Sequence, residues 1–179
     1  KIHGVDINPH CKQFEEDGVE IFIGDQEDRG FLREIAKRVP KIDILIDDGG
    51  HTMGQQIATF EELFPRIDAN GVYLCEDMHT SYWPDWGGGY RKPGSFVEYT
   101  KLLIDKLNAW HSMESDKLAV DDFTRSAHSM HFYDSIVAIE KRPMVAPSHS
   151  MTGNASIPAY EPPGGVQKMG LIERLVKRR

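Results

Sequence analysis

Cysteine is scarce: Cys11 and Cys75 are the only two in 179 residues, and neither has a CxxC partner. A disulfide framework is therefore excluded, and both read as reduced thiols of a cytoplasmic protein. Long apolar runs are missing as well. No stretch is long enough to span a bilayer and no signal peptide precedes the first strand, so no membrane partner is expected. Basic residues are outnumbered, 21 Lys and Arg against 28 Asp and Glu, for a formal net charge of -7. The only basic cluster, Lys177-Arg178-Arg179, is terminal, which argues against a nucleic-acid partner, since phosphate binding relies on clustered Lys and Arg. No internal repeat is visible. What is present is 40% hydrophobic and 27% charged residues, enough for one domain with a core and an appendage. The chain opens on Lys1 and runs straight into a strand, so an upstream segment is expected to have been removed.

Short β-rich runs alternate with helical patterns. Ile2 to Asp6 reads as a strand. Pro9 opens a short helix through Phe14, with Gly18 as its stop, and Glu20 to Ile23 is the next strand. Phe31, Leu32, Ile35 and Val39 recur at helical spacing before Pro40. Residues 42 to 46 suit a central strand covered on both faces. Ile57, Phe60, Leu63 and Phe64 mark a helix ended by Pro65, and Gly71 to Cys75 is a further strand. Met78 to Ser95 holds Tyr82, Trp83, Trp86, Tyr90 and the triplet Gly87-Gly88-Gly89, which reads as a mobile lid over a ligand or as an ordered loop packing its own aromatics. A helix follows from Phe96 to Trp110, then an antiparallel hairpin, Ser129 to Tyr133 and Ile136 to Glu140, around Asp134-Ser135. The order implies an α/β fold: a Rossmann-like, doubly wound, mostly parallel sheet with right-handed crossovers, helices on both faces and a C-terminal antiparallel hairpin. Residues 1 to 142 form this domain; 143 to 179 are a Pro/Ser/Gly-rich extension. Its last helix, from about Val166, is expected to dock on the domain or on a second subunit of a homo-oligomer.

Ligands of such sheets bind beyond the carboxyl ends of the strands, and those ends are acidic. Asp6 ends the first strand and suits the ribose hydroxyls of a nucleoside cofactor; Asp25-Gln26 after the next suits an adenine edge. The alternative for each is a helix cap. Asp48 and the pair Glu76-Asp77 end consecutive strands. Three converging carboxylates repel unless a cation or protonation relieves them, and an all-oxygen set suits Mg2+ or Mn2+. Side chains alternate along a strand, so Glu76 and Asp77 share one ion only if the strand ends between them. For the same reason Asp47 is placed on the cofactor side. His51, after Gly49-Gly50, is expected in the first turn of the next helix, neutral near pH 7 and able to accept a proton; the alternative is a buried hydrogen-bonded histidine. His79, His111, His128 and His131 have weaker claims.

The motifs "VDINP", "GDQED", "IDDGGH" and "LCEDMHTSYW", with "GGGYRKPGSFVEYTK" and "HFYDSIVAIEK" after them, resemble class I S-adenosylmethionine-dependent methyltransferases, in particular the metal-dependent sugar O-methyltransferases of macrolide biosynthesis. The likeness runs from Lys1 to about Arg142. It implies Mg2+ on Asp48, Glu76 and Asp77, His51 as general base, Asp6 on the cofactor ribose and Asp25-Gln26 on the adenine. It implies S-adenosylmethionine as methyl donor and a small-molecule glycoside as acceptor, with Tyr82, Trp83 and Tyr90 closing over the sugar. The strand and glycine-rich turn, E/D-x-G-x-x-x-G in type, that open the cofactor site in that family do not precede Lys1, and Gly87-Gly88-Gly89 lies too far downstream to replace them; a fragment is the expectation. Two other readings stand beside this one. A metal-dependent oxygenase or hydroxylase of a natural product is suggested by similar motifs in cephalosporin hydroxylases. A non-catalytic remnant of a methyltransferase is the other.

Overall fold

The computed structural model describes residues 1–150, 152–154, 156–158 and 160. Lys1–Pro147 form one compact unit. In the second, Ser148–Arg179, the described residues form no helix or strand. The helix expected from Val166 lies outside the described residues, and with it the basis for expecting a second subunit.

The first strand, β1 (Ile2–Asp6), is followed by a 3-10 helix, Pro9–Phe14, and by β2 (Val19–Ile23). Helix α1 (Arg29–Arg38) starts at Asp28, whose side chain accepts from the amides of Gly30 and Phe31, the usual way the orphan donors of a first turn are satisfied. Next come β3 (Ile42–Asp47), α2 (Met53–Leu63) and β4 (Ile67–Cys75). The aromatic segment folds as two 3-10 turns, Met78–Tyr82 and Pro84–Trp86, before α3 (Phe96–Leu107), a short α4 (Asp122–Ser126), β5 (Ala127–Tyr133) and β6 (Ile136–Lys141). Element types agree with the periodicity except at Pro9–Phe14, which winds as a 3-10 helix, and at α4, which no sequence pattern marked.

Pairing is where the structure departs from a single continuous sheet. β1 and β2 pair in parallel as a two-stranded sheet, while β3, β4, β6 and β5 form a second in that order. β3 and β4 are parallel; β4–β6 and β5–β6 are antiparallel. One face of the larger sheet carries the core. Tyr73, Cys75, Val137 and Ile139 pack there against Phe60 of α2 and Phe96 and Leu103 of α3. Phe60 lies 4.7 Å from Phe64 and edge-on to Tyr73 at 5.2 Å between ring centroids, a geometry aromatic pairs prefer. A second cluster joins Phe22, Leu32, Ile35, Val39, Ala58 and Leu63 between β2, α1 and α2.

The opposite face corrects the expectation that residues 42 to 46 are covered on both sides. Ile44 and Ile46 are 66% and 60% exposed. They stand in register with Val72 and Leu74 of β4, so they share a face with them, and no described helix covers it. The expected helices on both faces are therefore reduced, for the larger sheet, to helices on one.

Lys141 closes the lower end of this sheet. Its Nζ donates to the Phe64 carbonyl at 3.1 Å, which also accepts from the Ile67 amide, and to the Ile67 carbonyl at 2.8 Å, where α2 gives way to β4. Burial pushes its pKa down, against the raising effect of the Asp68 carboxylate. K141M keeps the apolar stem and removes the donors. It is expected to lower stability by about 1–3 kcal/mol, the usual range for losing hydrogen bonds from a charged donor; an unchanged urea midpoint would show that these bonds add nothing to the fold.

Candidate functional site

The carboxyl ends of β1, β2 and β3 meet at a groove of about 410 Å³ whose walls include Asp6, Asp25, Gln26, Asp47 and Asp48. All four residues expected on the cofactor side thus line one cavity. Their polar atoms are differently engaged. Asp6 accepts from the Asn8 amide at 2.7 Å, and that bond holds its carboxyl below the ordinary Asp value. Asp25 accepts from the Glu27 amide at 2.8 Å. Each is exposed, and the Asp6 carboxylate also meets the Cys11 thiol. Gln26 donates to Asp47 at 2.6 Å and to Thr59 at 2.9 Å, and accepts from the Gly50 amide at 2.8 Å. Its amide hydrogens and oxygen are all committed, so it ties β3 and α2 to the loop after β2. Asp47 is only 4% exposed. It also accepts from Tyr73 Oη at 3.3 Å, and burial pushes its pKa up to about 7 against the lowering effect of both hydrogen bonds.

Asp48 borders a second feature. One donor atom each from Asp48, His51 and Asp77 lies within 4.8 Å of the others. His51 Nε2 is 3.7 Å from Asp48 Oδ1 and 3.7 Å from Asp77 Oδ2. Such a cluster has the dimensions of a divalent-cation site, and its two carboxylates are the oxygen ligands that Mg2+ or Mn2+ prefers, with the His51 imidazole beside them. His51 is not inside α2. The helix begins with a capping box in which Thr52 accepts from the Gln55 amide and Gln55 accepts from the Thr52 amide, so His51 falls one residue before the cap, at φ 57°. Its Nδ1 is buried with no hydrogen-bond partner among the described residues. A proton on Nδ1 would leave the Nε2 lone pair facing the carboxylates.

Asp77 also has a left-handed backbone, φ 52°, because β4 ends at Cys75 and the chain turns at once into the 3-10 helix Met78–Tyr82. The gathered set holds Asp77 but not the Glu76 carboxylate. Glu76 contributes its backbone: the amide donates to the Asp47 carbonyl at 2.9 Å, and its own carbonyl accepts from the buried Gln56 side chain at 3.2 Å.

Around the cluster lie a weaker candidate, His79, two aromatics of the expected lid, Trp83 and Trp86, and one residue the sequence did not mark, Ser135. His79 Nδ1 lies 3.6 Å from Asp77 Oδ1 and 2.6 Å from Ser135 Oγ, on the β5–β6 turn. Trp86 packs 6.4 Å from the His51 ring, and Trp83 lies 4.5 Å from His79 and 6.3 Å from Trp86. The structure therefore brings Trp83 to the cluster. Tyr82 and Tyr90 are exposed, with no hydrogen bond or ring contact to it among the described residues. The segment expected as a lid is an ordered double turn in which the amides of Gly87, Gly88 and Gly89 donate to the carbonyls of Pro84, Trp83 and Ser81. Gly88 is required there: a Cβ would fall 2.5 Å from the backbone of Ser81.

No family model matches the chain. It is 34% identical over 142 residues to 8-demethyl-8-alpha-L-rhamnosyl tetracenomycin-C 2'-O-methyltransferase of Streptomyces olivaceus, a match covering 79% of this chain and 37% of that protein. It is 34% identical over 144 residues to demethylmacrocin O-methyltransferase of Streptomyces fradiae, covering 78% and 36%. Among solved structures, MycE methyltransferase of the mycinamycin biosynthetic pathway, in complex with Mg and SAH, superposes with a TM-score of 0.74 at 32% identity over 80% of this chain and 38% of that one. A third crystal of MycE, holding Mg, SAH and mycinamycin VI, gives a TM-score of 0.72. The chain thus spans well under half the length of the relatives it matches.

Proposed function

The chain belongs to the family of sugar O-methyltransferases of tetracenomycin and macrolide pathways, and from that we propose that it forms the cofactor groove and metal centre of an S-adenosylmethionine-dependent O-methyltransferase. Its acceptor would be a sugar hydroxyl of a glycosylated natural product. The observation that carries this reading is that the nucleoside-sized groove and the Asp48–His51–Asp77 cluster meet at Asp48. A methyl donor and an activated oxygen must lie side by side for transfer, and positioning them is worth a large part of the barrier.

Asp6 and Asp25 would take the ribose and adenine of S-adenosylmethionine, with Gln26 and Asp47 shaping the floor beneath them. Asp48 and Asp77 would hold Mg2+ or Mn2+, while the Glu76 carboxylate lies outside the gathered set. The ion would supply positive charge that lowers the pKa of a bound hydroxyl. His51 Nε2 lies between the two carboxylates, which stabilise the imidazolium formed when it takes the hydroxyl proton. Trp83 and Trp86 present apolar faces beside it, suited to a sugar ring. An ion held by carboxylates, with His51 left free as base, differs from the two-histidine, one-carboxylate set of non-haem iron oxygenases, which favours methyl transfer over hydroxylation.

The finer reading of the fold concerns the groove. His3, Gly4 and Val5 of β1 face Leu45 and Ile46 of β3 across it, and neither strand is paired with the other. We propose that one further strand fits between these edges, joining the two sheets into the continuous, mostly parallel sheet expected from the sequence and leaving the end of the groove around Asp6, Asp25, Asp47 and Asp48 to the cofactor; unpaired edges are otherwise a liability.

Calorimetric titration with S-adenosylhomocysteine, with and without Mg2+, tests the reading. Heats for both ligands are expected. Heat for the ion alone would overturn the cofactor half, and heat for neither would overturn the whole.

A further inference from the structure

Two residues of the cluster, His51 and Asp77, have left-handed backbones, a conformation uncommon outside glycine that persists only where the surroundings enforce it. They sit on different elements, 26 positions apart in the chain, and one buried hydroxyl touches both. Thr80 Oγ1 lies 2.7 Å from the His51 carbonyl and 3.0 Å from the Asp77 carbonyl. The hydroxyl has a single hydrogen to donate, and the Asp77 carbonyl already accepts from the Thr80 amide at 3.2 Å. The hydroxyl hydrogen is therefore directed at His51, on the shorter contact. Among the described residues no other hydrogen bond reaches the His51 carbonyl. Thr80 is itself 2% exposed, so water does not replace the bond freely. On the other side of the same turn Ser135, also left-handed at φ 62°, accepts from the Met78 amide at 3.0 Å through its carbonyl and from the His79 amide at 3.2 Å through its hydroxyl. The 3-10 turn that carries Asp77 is thus held at both ends, and Thr80 is its link to His51.

We propose that Thr80 is the positioning residue of this site: its hydroxyl ties the loop before α2 to the turn after β4 and so sets the spacing of His51 Nε2 and Asp77 Oδ2. The proposal rests on the metal-centre reading only for its affinity readout. The backbone of both residues can be read without any ion.

The test compares the full chain with T80V, which keeps the shape and removes the donor, and T80S, which restores it. In T80V the 13Cα resonances of His51 and Asp77 are expected to move away from left-handed values, and Mn2+ affinity, followed by electron paramagnetic resonance, is expected to fall about 10-fold, as for loss of groups that orient metal ligands. T80S is expected to return both within about 2-fold of the unsubstituted chain, a rescue that simple loss of packing would not produce. Unchanged resonances and unchanged affinity in T80V would overturn the proposal. Should T80V fail to fold, T80A is read in its place: shifts in the same direction support the proposal, and values equal to the unsubstituted chain overturn it. If the unsubstituted chain binds no Mn2+, the metal reading fails on its own, and the 13Cα resonances still decide the role of Thr80.

Discussion

D77N is expected to lower Mn2+ affinity by about 100-fold or more while leaving the fold intact. Asp77 is the carboxylate on which the site converges, with one oxygen 3.7 Å from His51 and the other 3.6 Å from His79. Substituting the amide keeps the shape and removes the charge, and a hard divalent ion binds largely through charge. Changes to groups that merely orient ligands lose 10–100-fold, so a direct ligand should reach at least the upper end. Asparagine is the right replacement because it tolerates the left-handed backbone at this position better than most residues. Paramagnetic titration with Mn2+ measures the loss, and circular dichroism checks the fold. Equal affinity in D77N would remove Asp77 from the site and would leave the cluster an ordinary group of surface acids.

The second large effect is on stability and depends on pH. Asp47 titrates near 7 in the folded chain, raised by burial from 3.8. Because the folded state holds the proton more tightly than the unfolded chain, its contribution is fully present below about pH 4 and is lost as pH rises through 7. The slope approaches 1.4 kcal/mol per pH unit inside that window, for a total of roughly 4 kcal/mol. Urea unfolding in metal-free buffer should therefore show stability falling between pH 5 and 8. D47N carries no such charge. Its amide oxygen still accepts from Gln26 and its NH2 can donate to Tyr73 Oη, so the slope should flatten and the variant should be the more stable at pH 8. A parallel pH dependence in both chains would show that Asp47 is ionised and solvated, with its neighbours arranged otherwise than described.

Much of the site could be read along the chain because the relevant signals are local. A run of aliphatic, β-branched residues gave β3 its place, and the change from aliphatic to acidic residues at Asp47-Asp48 and Glu76-Asp77 marked strand ends where ligands bind. His51 was visible through the two glycines before it and the helical pattern after it. Other features were not legible. Whether Gln26 faces a ligand or a partner depends on Thr59, 33 residues away. Thr80, Ser135 and Trp86 have no local signature, since their roles arise from contacts across 29, 56 and 35 positions.

Taken alone, the sequence determined the order of strands and helices, the acidic character of the strand ends and the hairpin at Asp134-Ser135, because each follows from the period and chemistry of neighbouring residues. Only the tertiary structure decided which acids meet. It gathered Asp48, His51 and Asp77, left the Glu76 carboxylate outside the set, buried Asp47 against Tyr73 and separated β1–β2 from the larger sheet. The physical reason is that a side chain's direction at the end of a strand is set by one or two backbone angles. At His51 and Asp77 those angles are held by hydrogen bonds from parts of the chain that no local pattern connects.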